Sequence, residues 1–262
     1  MAKIITFGNF KGGVGKSTCS CMAAYLLHQR GNKVLLVDFD PQANSTNFLT
    51  QTYNVDLTDF TSLYEAIQQQ DLKKCIKTLD FGLDLLPSAV DLVSFPRLLN
   101  KLSNGEEEKE HQYMDFLLDP LRENYDFIII DVPPTISSFT NNALVASDFA
   151  FIIMQTELDS LTGAIDFNEY VEGMKRFNEG IRVVGILPYL QKKRSKIDKF
   201  ILDSTLSDSL KIKDLVFKNH IYERERVKRF RVSGITNEDY HDKKTLSMYD
   251  KVVGELLEKV GD

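Results

Sequence analysis

A run of lysine, glycine and hydroxyl residues after the first apolar stretch of the chain has the composition and spacing of a phosphate-binding loop. The residues concerned are Lys11, Gly12, Gly13, Val14, Gly15, Lys16, Ser17 and Thr18. Glycines let the backbone curl until successive N–H groups point inward, and the start of a following helix adds the positive end of its dipole. In such a loop Lys16 reaches the β- and γ-phosphates of a nucleotide, and the Ser17 hydroxyl takes a Mg²⁺ position. The segment therefore predicts a site for a nucleoside triphosphate with Mg²⁺.

Three aspartates follow two further apolar runs, and their positions fit the same site. Asp38 and Asp40 come at the end of the run 33–37, and Asp131 directly follows the run 127–130. In an open α/β sheet, ligands bind in the crevice at the carboxyl ends of the strands. Asp131 is thus predicted to hold Mg²⁺, through water because Mg²⁺ gives up its hydration shell reluctantly.

These residues must be positioned by strands and helices, and the chain alternates between the two patterns. The predicted strands are 4–7, 33–37, 83–86, 127–130, 149–154 and 181–187. The predicted helices include 17–30, 142–147 and 161–177. Runs that are apolar on both faces suit buried parallel strands, so the alternation predicts an α/β fold, a doubly wound, mostly parallel sheet flanked by helices. Because no linker or repeat divides the sequence, residues 1–262 are predicted to form one domain.

Composition and charge restrict the class of protein further. The formal net charge is −6 over 262 residues, so any basic surface must be local. Segment 191–231 is such a region, with a net charge of +7 against −13 for the rest of the chain. Cys19, Cys21 and Cys75 have neither metal-ligand spacing nor the number for a disulfide framework. Without a signal-peptide pattern or an apolar stretch near the ~20 residues that span a bilayer, the chain is predicted to be cytoplasmic, with no membrane partner.

Two features beyond the general phosphate loop resemble the deviant Walker A class of P-loop ATPases, the ParA/MinD family. An additional lysine, Lys11, lies five residues before Lys16, and Phe10 stands where the strict pattern has its first glycine. That class also carries a D-x-D-P-Q-[AG]-N segment, and this chain has a similar one in Asp38-Phe39-Asp40-Pro41-Gln42-Ala43-Asn44. The resemblance implies that the nucleotide is ATP and that Lys11 reaches across a dimer to the phosphates bound by the partner.

The same resemblance implies roles for the acidic residues. Asp40 would position or activate the attacking water, and Asp38 would support the Mg²⁺ and loop network. Pro133 and Pro134, which follow Asp131, resemble the second switch of the family, which senses the γ-phosphate.

Within this family, the chain is most similar to the short ParA-type partition ATPases. Only ten residues precede Lys11, which leaves no room for an N-terminal helix-turn-helix domain. Residues 247–262 are amphipathic but net acidic, unlike the basic membrane-binding helix of MinD-like members, and are predicted to pack on the sheet.

The segment 221–236 resembles the ParA region whose cations contact DNA without reading its sequence. The residues expected to bind DNA are Arg226, Lys228, Arg229 and Arg231, with Lys192, Lys193, Arg194 and Lys196 as a second contributor. Such contacts are electrostatic and sensitive to salt. In an alternative interpretation, Glu223 and Glu225 pair with these cations on a solvated helix.

One departure from the family concerns the adenine pocket. Tyr222 stands where many relatives have a proline, in a region that often lines that pocket. The base contact is instead placed at Pro188, in a turn expected after the strand 183–187.

Taken together, the resemblance implies a DNA-partition ATPase. An ATP-bound sandwich homodimer would bind double-stranded DNA non-specifically, which places it on the nucleoid, and a ParB-like centromere-binding adaptor would stimulate the hydrolysis that releases the DNA. Two alternatives remain at this point. One is a MinD-like positioning or regulatory switch that acts on a protein assembly without DNA, and the other is a metabolic P-loop ligase or kinase with its own acceptor pocket.

Overall fold

One sheet runs through the centre of the molecule, with eight strands in the described residues. The computed structural model describes residues 1–192, 194–207 and 212–261. The strands are β1 (Lys3–Gly8), β2 (Val34–Asp38), β3 (Lys77–Asp80), β4 (Leu83–Leu86), β5 (Phe127–Asp131), β6 (Phe149–Gln155), β7 (Arg182–Gln191) and β8 (Ile221–Tyr222). Their order is β3-β4-β2-β5-β1-β6-β7-β8, and each neighbouring pair is parallel except β3 with β4.

Helices pack on both faces of this sheet. They are α1 (Lys16–Gln29), α2 (Asn44–Tyr53), α3 (Leu63–Gln68), α4 (Phe95–Ser103), α5 (Glu107–Leu118), α6 (Ser138–Val145), α7 (Leu158–Met174), α8 (Lys196–Thr205), α9 (Glu225–Ser233) and α10 (Tyr240–Val260). Successive side chains of a strand point to opposite faces. In β1, Ile5 and Phe7 therefore join the apolar core that contains α1 and α10, whereas Ile4 joins the core that contains α4 and α5.

The predicted doubly wound α/β sheet is confirmed, and all six predicted strands are present. The sequence pattern missed β3 and β8 because β3 is short with two exposed residues, and β8 has only two residues. The acidic stretch 106–110 forms the start of α5, whose first turn contains three glutamates. Negative charge at this end of a helix is stabilised by the positive end of the helix dipole.

The last helix, α10, packs as the sequence predicts. Its residues Leu246, Tyr249, Val252, Val253 and Leu256 are buried in the core shared with α1. Within the described ranges, no helix combines the length and apolar composition needed to cross a bilayer.

The strand order places the predicted site residues side by side. β5 lies between β2 and β1, so the loop after β1 and the carboxyl ends of β2 and β5 meet at one edge of the sheet. Asp38 and Asp131 are direct partners in the register of β2 and β5.

Candidate nucleotide-binding site

The loop between β1 and α1 has the backbone geometry that its glycines predict. Gly13 has a φ angle of 79° and Gly15 a φ angle of 97°, a left-handed conformation that L side chains rarely adopt. A Cβ atom on Gly15 would lie 2.2 Å from Cε1 of the buried Tyr189 ring. Glycine is therefore required at position 15 both by the turn and by the ring that packs behind it.

Phe10, the departure from the strict P-loop pattern, anchors the start of the loop. Its ring packs edge-on against Phe167 and Tyr170 of α7, at centroid distances of 5.0 and 5.4 Å. The Asn9 side chain fixes the same region, because its amide donates to the Ile153 carbonyl at 2.8 Å and its Oδ1 accepts from the Lys11 N–H at 2.7 Å. The loop is thus held by α7 and β6, which accounts for an aromatic residue at this position.

A cleft of about 210 Å³ opens above the loop. It is lined by Gly13, Gly15, Lys16, Ser17, Thr18, Asp40, Gln42, Asn44, Pro134 and Arg231. The structure thus brings the phosphate-binding loop, the first residues after β2 and the segment after β5 to one cavity, as the sequence predicts.

Lys16 lies at the base of this cleft with only 7% of its surface exposed. Its Nζ atom lies 3.4 Å from the Lys11 carbonyl oxygen. Burial lowers the pKa of Lys16 below its ordinary value, while the negative charges of Asp131 and Asp40 act in the opposite direction. A buried ammonium group beside the loop N–H groups is suited to bind phosphate oxygens.

Asp38 and Asp131 form a pair of fully buried carboxylates behind the cleft. Asp38 accepts hydrogen bonds from the Thr46 N–H at 2.7 Å and the Asp40 N–H at 3.3 Å. Burial, followed by the charge of Asp131, raises the pKa of Asp38 to about 8. Burial also raises the pKa of Asp131, but to a lesser extent, because the Ser45 hydroxyl donates to it at 2.6 Å and Lys16 lies nearby. Both carboxyl groups therefore hold a proton to higher pH than exposed aspartates do.

The residues at this edge fit a Mg²⁺ ion that is also held by a nucleotide. Oδ1 of Asp131 is buried without a hydrogen-bond partner, and Ser17 lines the cleft. In the part of the chain that the structure describes, no group of three or more His, Cys, Asp or Glu side chains could hold a metal ion by itself. Mg²⁺ commonly keeps several waters and binds through one or two protein groups together with substrate phosphates, which matches this arrangement.

Asp40 is held at the wall of the cleft by hydrogen bonds to its side chain and to its backbone. Its side chain accepts the Gln42 N–H at 2.9 Å, and its carbonyl oxygen accepts the Ser88 hydroxyl at 2.7 Å. Only 8% of the residue is exposed. The carboxylate therefore has a fixed position on the side of the cleft that Pro134 also lines.

The two lysines of the loop point in different directions. Whereas Lys16 is buried, the Lys11 side chain is 42% exposed, and its Nζ atom lies 3.2 Å from Oδ2 of Asp159 at the start of α7. Lys11 is not among the residues that line the cleft of its own chain.

The four cations expected to bind DNA lie on α9, but they have different surroundings. Arg226 is only 14% exposed in its side chain and pairs with Asp239 and with Asp242 of α10. Lys228 is 62% exposed and lies 3.6 Å from Glu223, whereas Arg229 is exposed. Arg231 lines the nucleotide cleft. Arg226 thus faces carboxylates, whereas Arg231 is exposed at the cleft and Lys228 and Arg229 are exposed elsewhere on the helix.

The second group of cations expected to contact DNA lies near the start of α8. Lys192 and Arg194 lie between β7 and α8, and Lys196 is the first residue of α8, whereas Lys193 lies outside the described residues. Beside α9, a cavity of about 380 Å³ is lined by Arg224, Glu225, Arg226, Arg229, His241 and Thr245. Two buried donor atoms of its lining residues, Nε of Arg224 and Nη1 of Arg226, have no hydrogen-bond partner.

The prediction of a turn at Pro188 is wrong. Pro188 lies inside β7, is buried, and pairs in register with Met154 of β6. The strand continues for three residues past Pro188 to Gln191 rather than turning after Leu187. Pro188 does not line the cleft.

Two residues of the site were not identified from the sequence. Ser45, near the start of α2, donates to Asp131, and Asp159 pairs with Lys11. Ser45 follows the segment 38–44 directly, which could have marked it. Nothing in the sequence around Asp159 indicates its partner, because the two residues are 148 positions apart.

Comparisons with known proteins agree with this fold. A family model described as an AAA domain matches residues 2–183. The chromosome-partitioning ATPase Soj of Thermus thermophilus is 32% identical over 184 residues, which cover 70% of this chain and 67% of that protein. A putative plasmid partition protein from Borrelia burgdorferi bound to AMPPNP has a TM-score of 0.78 at 29% identity, covering 99% of this chain and 98% of the other. The apo structure of McdA from Cyanothece has a TM-score of 0.84 and covers both chains completely, although at 24% identity it bears on the fold alone.

Proposed function

The chain belongs to the ParA-type P-loop partition ATPases, and we propose that it is an ATP-dependent DNA-segregation ATPase that acts as a nucleotide-controlled dimer. The observation that carries the proposal is the difference in burial between the two lysines of the loop. Lys16 lies buried in the cleft, whereas Lys11 extends from the same loop onto the exposed surface. A second phosphate-loop lysine that its own cleft does not use is suited to complete the site of another subunit.

Within one subunit, the loop would bind ATP through its N–H groups, the end of the α1 dipole and Lys16. Ser17 would ligate Mg²⁺ directly and Asp131 through water, with Asp38 supporting the network. When bound, Mg²⁺ neutralises phosphate charge and orients the phosphate oxygens. The raised pKa values of the two buried aspartates agree with a site whose negative charge needs a cation.

Asp40 is the residue proposed to position or activate the attacking water. Its carboxylate lines the cleft, as do Lys16 and Pro134, and its backbone is held by Ser88. Pro134 lies close to the loop, since a Cβ atom on Gly12 would be 3.7 Å from its Cγ. The segment after β5 is thus placed to respond to the γ-phosphate, which is the role proposed for Pro133 and Pro134.

Lys11 is proposed to neutralise the charge that develops on the phosphates bound by the partner subunit, in the manner of an arginine finger. In the single chain its ammonium group is paired with Asp159, and both side chains are exposed, so the pair is a weak interaction that a phosphate could replace.

The DNA-binding surface is proposed to be the outer side of α9, where Lys228 and Arg229 are exposed, together with Lys192, Arg194 and Lys196. The adjacent cavity supports this proposal, because Arg224 and Arg229, two of its lining residues, add positive charge that suits phosphate oxygens. Binding of this kind reads charge rather than sequence. We propose that a ParB-like adaptor on the cargo stimulates hydrolysis and that the protein is cytoplasmic and bound to the nucleoid in its ATP state.

The dimer is tested most simply with Lys11→Ala. Sedimentation in the presence of Mg²⁺ and a non-hydrolysable ATP analogue should show a dimer for the wild type and a monomer for the variant, while calorimetry shows that the variant still binds ADP. A variant that dimerises like the wild type would contradict the proposed role of Lys11. The second candidate function, a switch that acts on a protein assembly, shares this dimer and differs only in lacking DNA binding.

A further inference from the structure

Arg231 differs from the other cations of α9 in what it faces. It lines the nucleotide cleft together with Gly15, Ser17 and Thr18, and its side chain has no carboxylate partner within the described ranges. Arg226, in contrast, is paired with two aspartates, and Lys228 lies near Glu223. An unpaired guanidinium beside a phosphate-binding loop is suited to contact an anion there, since its planar set of donors matches phosphate oxygens.

The packing of α9 explains why Arg231 and Arg229 face different environments. Val227 and Phe230 are buried in the core and fix the rotation of the helix. Residues two positions apart on a helix lie about 200° apart around its axis, so Arg229 and Arg231 point to opposite sides. Both arginines are exposed, but Arg229 lines the outer cavity, whereas Arg231 lines the nucleotide cleft.

The C-terminal end of α9 is tied to a second wall of the cleft. The Ile235 N–H donates to the Thr52 hydroxyl at 3.1 Å, and the Gln51 amide donates to the Val232 carbonyl. Gly234 packs against Thr52 so closely that a Cβ atom would lie 2.8 Å from the Thr52 Cα. Both contact residues belong to α2, whose first residue, Asn44, lines the cleft. The position of Arg231 is thus fixed relative to the nucleotide site from two directions.

The residues that share the cleft with Arg231 indicate which part of the nucleotide it faces. Gly15 and Thr18 of the loop line the same cavity. The N–H groups of a phosphate-binding loop cradle the α- and β-phosphates, which ADP and ATP have in common. Arg231 is therefore near the phosphates that both nucleotides carry.

We propose that Arg231 is a nucleotide-binding residue that contacts the phosphates common to ADP and ATP, and that it is not a DNA contact. One helix then carries a nucleotide-binding residue on the side that lines the cleft and DNA-binding cations on its outer side. This inference rests on the proposed function only for the DNA-binding half of the comparison.

The test compares Arg231→Ala with Arg229→Ala, the neighbouring arginine on the opposite side of the same helix. Calorimetric titration with ADP and Mg²⁺ measures the nucleotide site without the dimer. Loss of a charged phosphate contact should weaken ADP binding by about tenfold or more in Arg231→Ala, and a conservative Arg231→Lys variant should recover part of it. Arg229→Ala should bind ADP as the wild type does.

DNA binding is then measured at saturating ATP over a range of salt concentrations. Each lost phosphate contact makes the slope of log K against log salt shallower by about 0.9. Arg229→Ala should show that change, whereas Arg231→Ala should keep the wild-type slope. Unchanged ADP affinity in Arg231→Ala, or a shallower salt slope for that variant, would overturn the proposal. If the wild type binds no DNA at all, the proposed function fails, but the ADP titration still decides the role of Arg231.

Discussion

The Nε atom of Arg226 lies 3.1 Å from Oδ1 of Asp242, a carboxylate whose side chain is only 2% exposed. Asp239 pairs with the same guanidinium group. A cation held in this way ties α9 to the start of α10, and its charge is already neutralised by the two aspartates, so it is poorly suited to contact DNA. The basic segment of the sequence is therefore divided between a structural arginine, cations exposed to solvent and an arginine in the nucleotide cleft.

Arg226→Ala should destabilise the fold, because it leaves the buried carboxylate of Asp242 without its charge partner. Breaking such a pair costs about 3 kcal/mol in the free energy of unfolding. Lys228→Ala, the matched control on the exposed side, should change it by less than about 0.5 kcal/mol. Urea denaturation of the three proteins measures the difference. A stable Arg226→Ala variant that has lost only DNA binding would show that Arg226 acts at the DNA surface.

The unliganded protein should become less stable as pH rises from about 4 toward 8, because of Asp38. Its pKa is raised in the folded state to about 8 from an ordinary value of 3.8, so in this range the folded state binds more protons than the unfolded state. For one proton the free energy of unfolding then falls by at most about 1.4 kcal/mol per pH unit.

Asp38→Asn removes this titration, and urea denaturation at several pH values without nucleotide should show a flatter profile for the variant. Asp119→Asn, a change at an exposed carboxylate, serves as the control and should follow the wild type. Parallel profiles for Asp38→Asn and the wild type would refute the assignment of the pH dependence to Asp38.

Gly15→Ala should cost more stability than Gly13→Ala, although both residues have a positive φ angle. The left-handed backbone alone costs about 1–2 kcal/mol for an alanine. At position 13 the added methyl group meets no atom within 4 Å, whereas at position 15 it collides with the Tyr189 ring. Overpacking of this kind adds about 1–3 kcal/mol.

Thermal and urea unfolding without nucleotide separate these two contributions. A Tyr189→Ala background should relieve most of the additional cost at position 15, which a double-mutant cycle measures. Equal destabilisation by the two glycine variants would mean that Tyr189 does not constrain the loop.

The strands and the phosphate-binding loop could be predicted from the sequence because their signals are local. Buried parallel strands are continuous apolar runs, and the loop has its three glycines within four positions, 12–15. The partners of Lys11 and Arg226 could not be predicted, because Asp159 and Asp242 reach them only through the packing of other helices. Likewise, Arg231 and Arg229 look equivalent in the sequence, and only the burial of Val227 and Phe230 decides which of them faces the nucleotide. The misplaced turn at Pro188 has a similar origin, since the extension of β7 depends on its pairing with β6 and β8.

DNA segregation is tested most directly by the binding of purified protein to random-sequence duplex DNA at one fixed salt concentration, without nucleotide, with ADP and Mg²⁺, and with ATP and Mg²⁺. The wild type should bind only with ATP, and Asp40→Ala should bind persistently because it keeps ATP. Lys16→Ala, which loses the nucleotide, and a Lys228→Glu/Arg229→Glu double variant, which loses the basic surface, should not bind. Added salt should weaken every positive result. If neither the wild type nor Asp40→Ala binds DNA under any of these conditions while both still bind nucleotide, the DNA-segregation account is contradicted and the protein-directed switch takes its place.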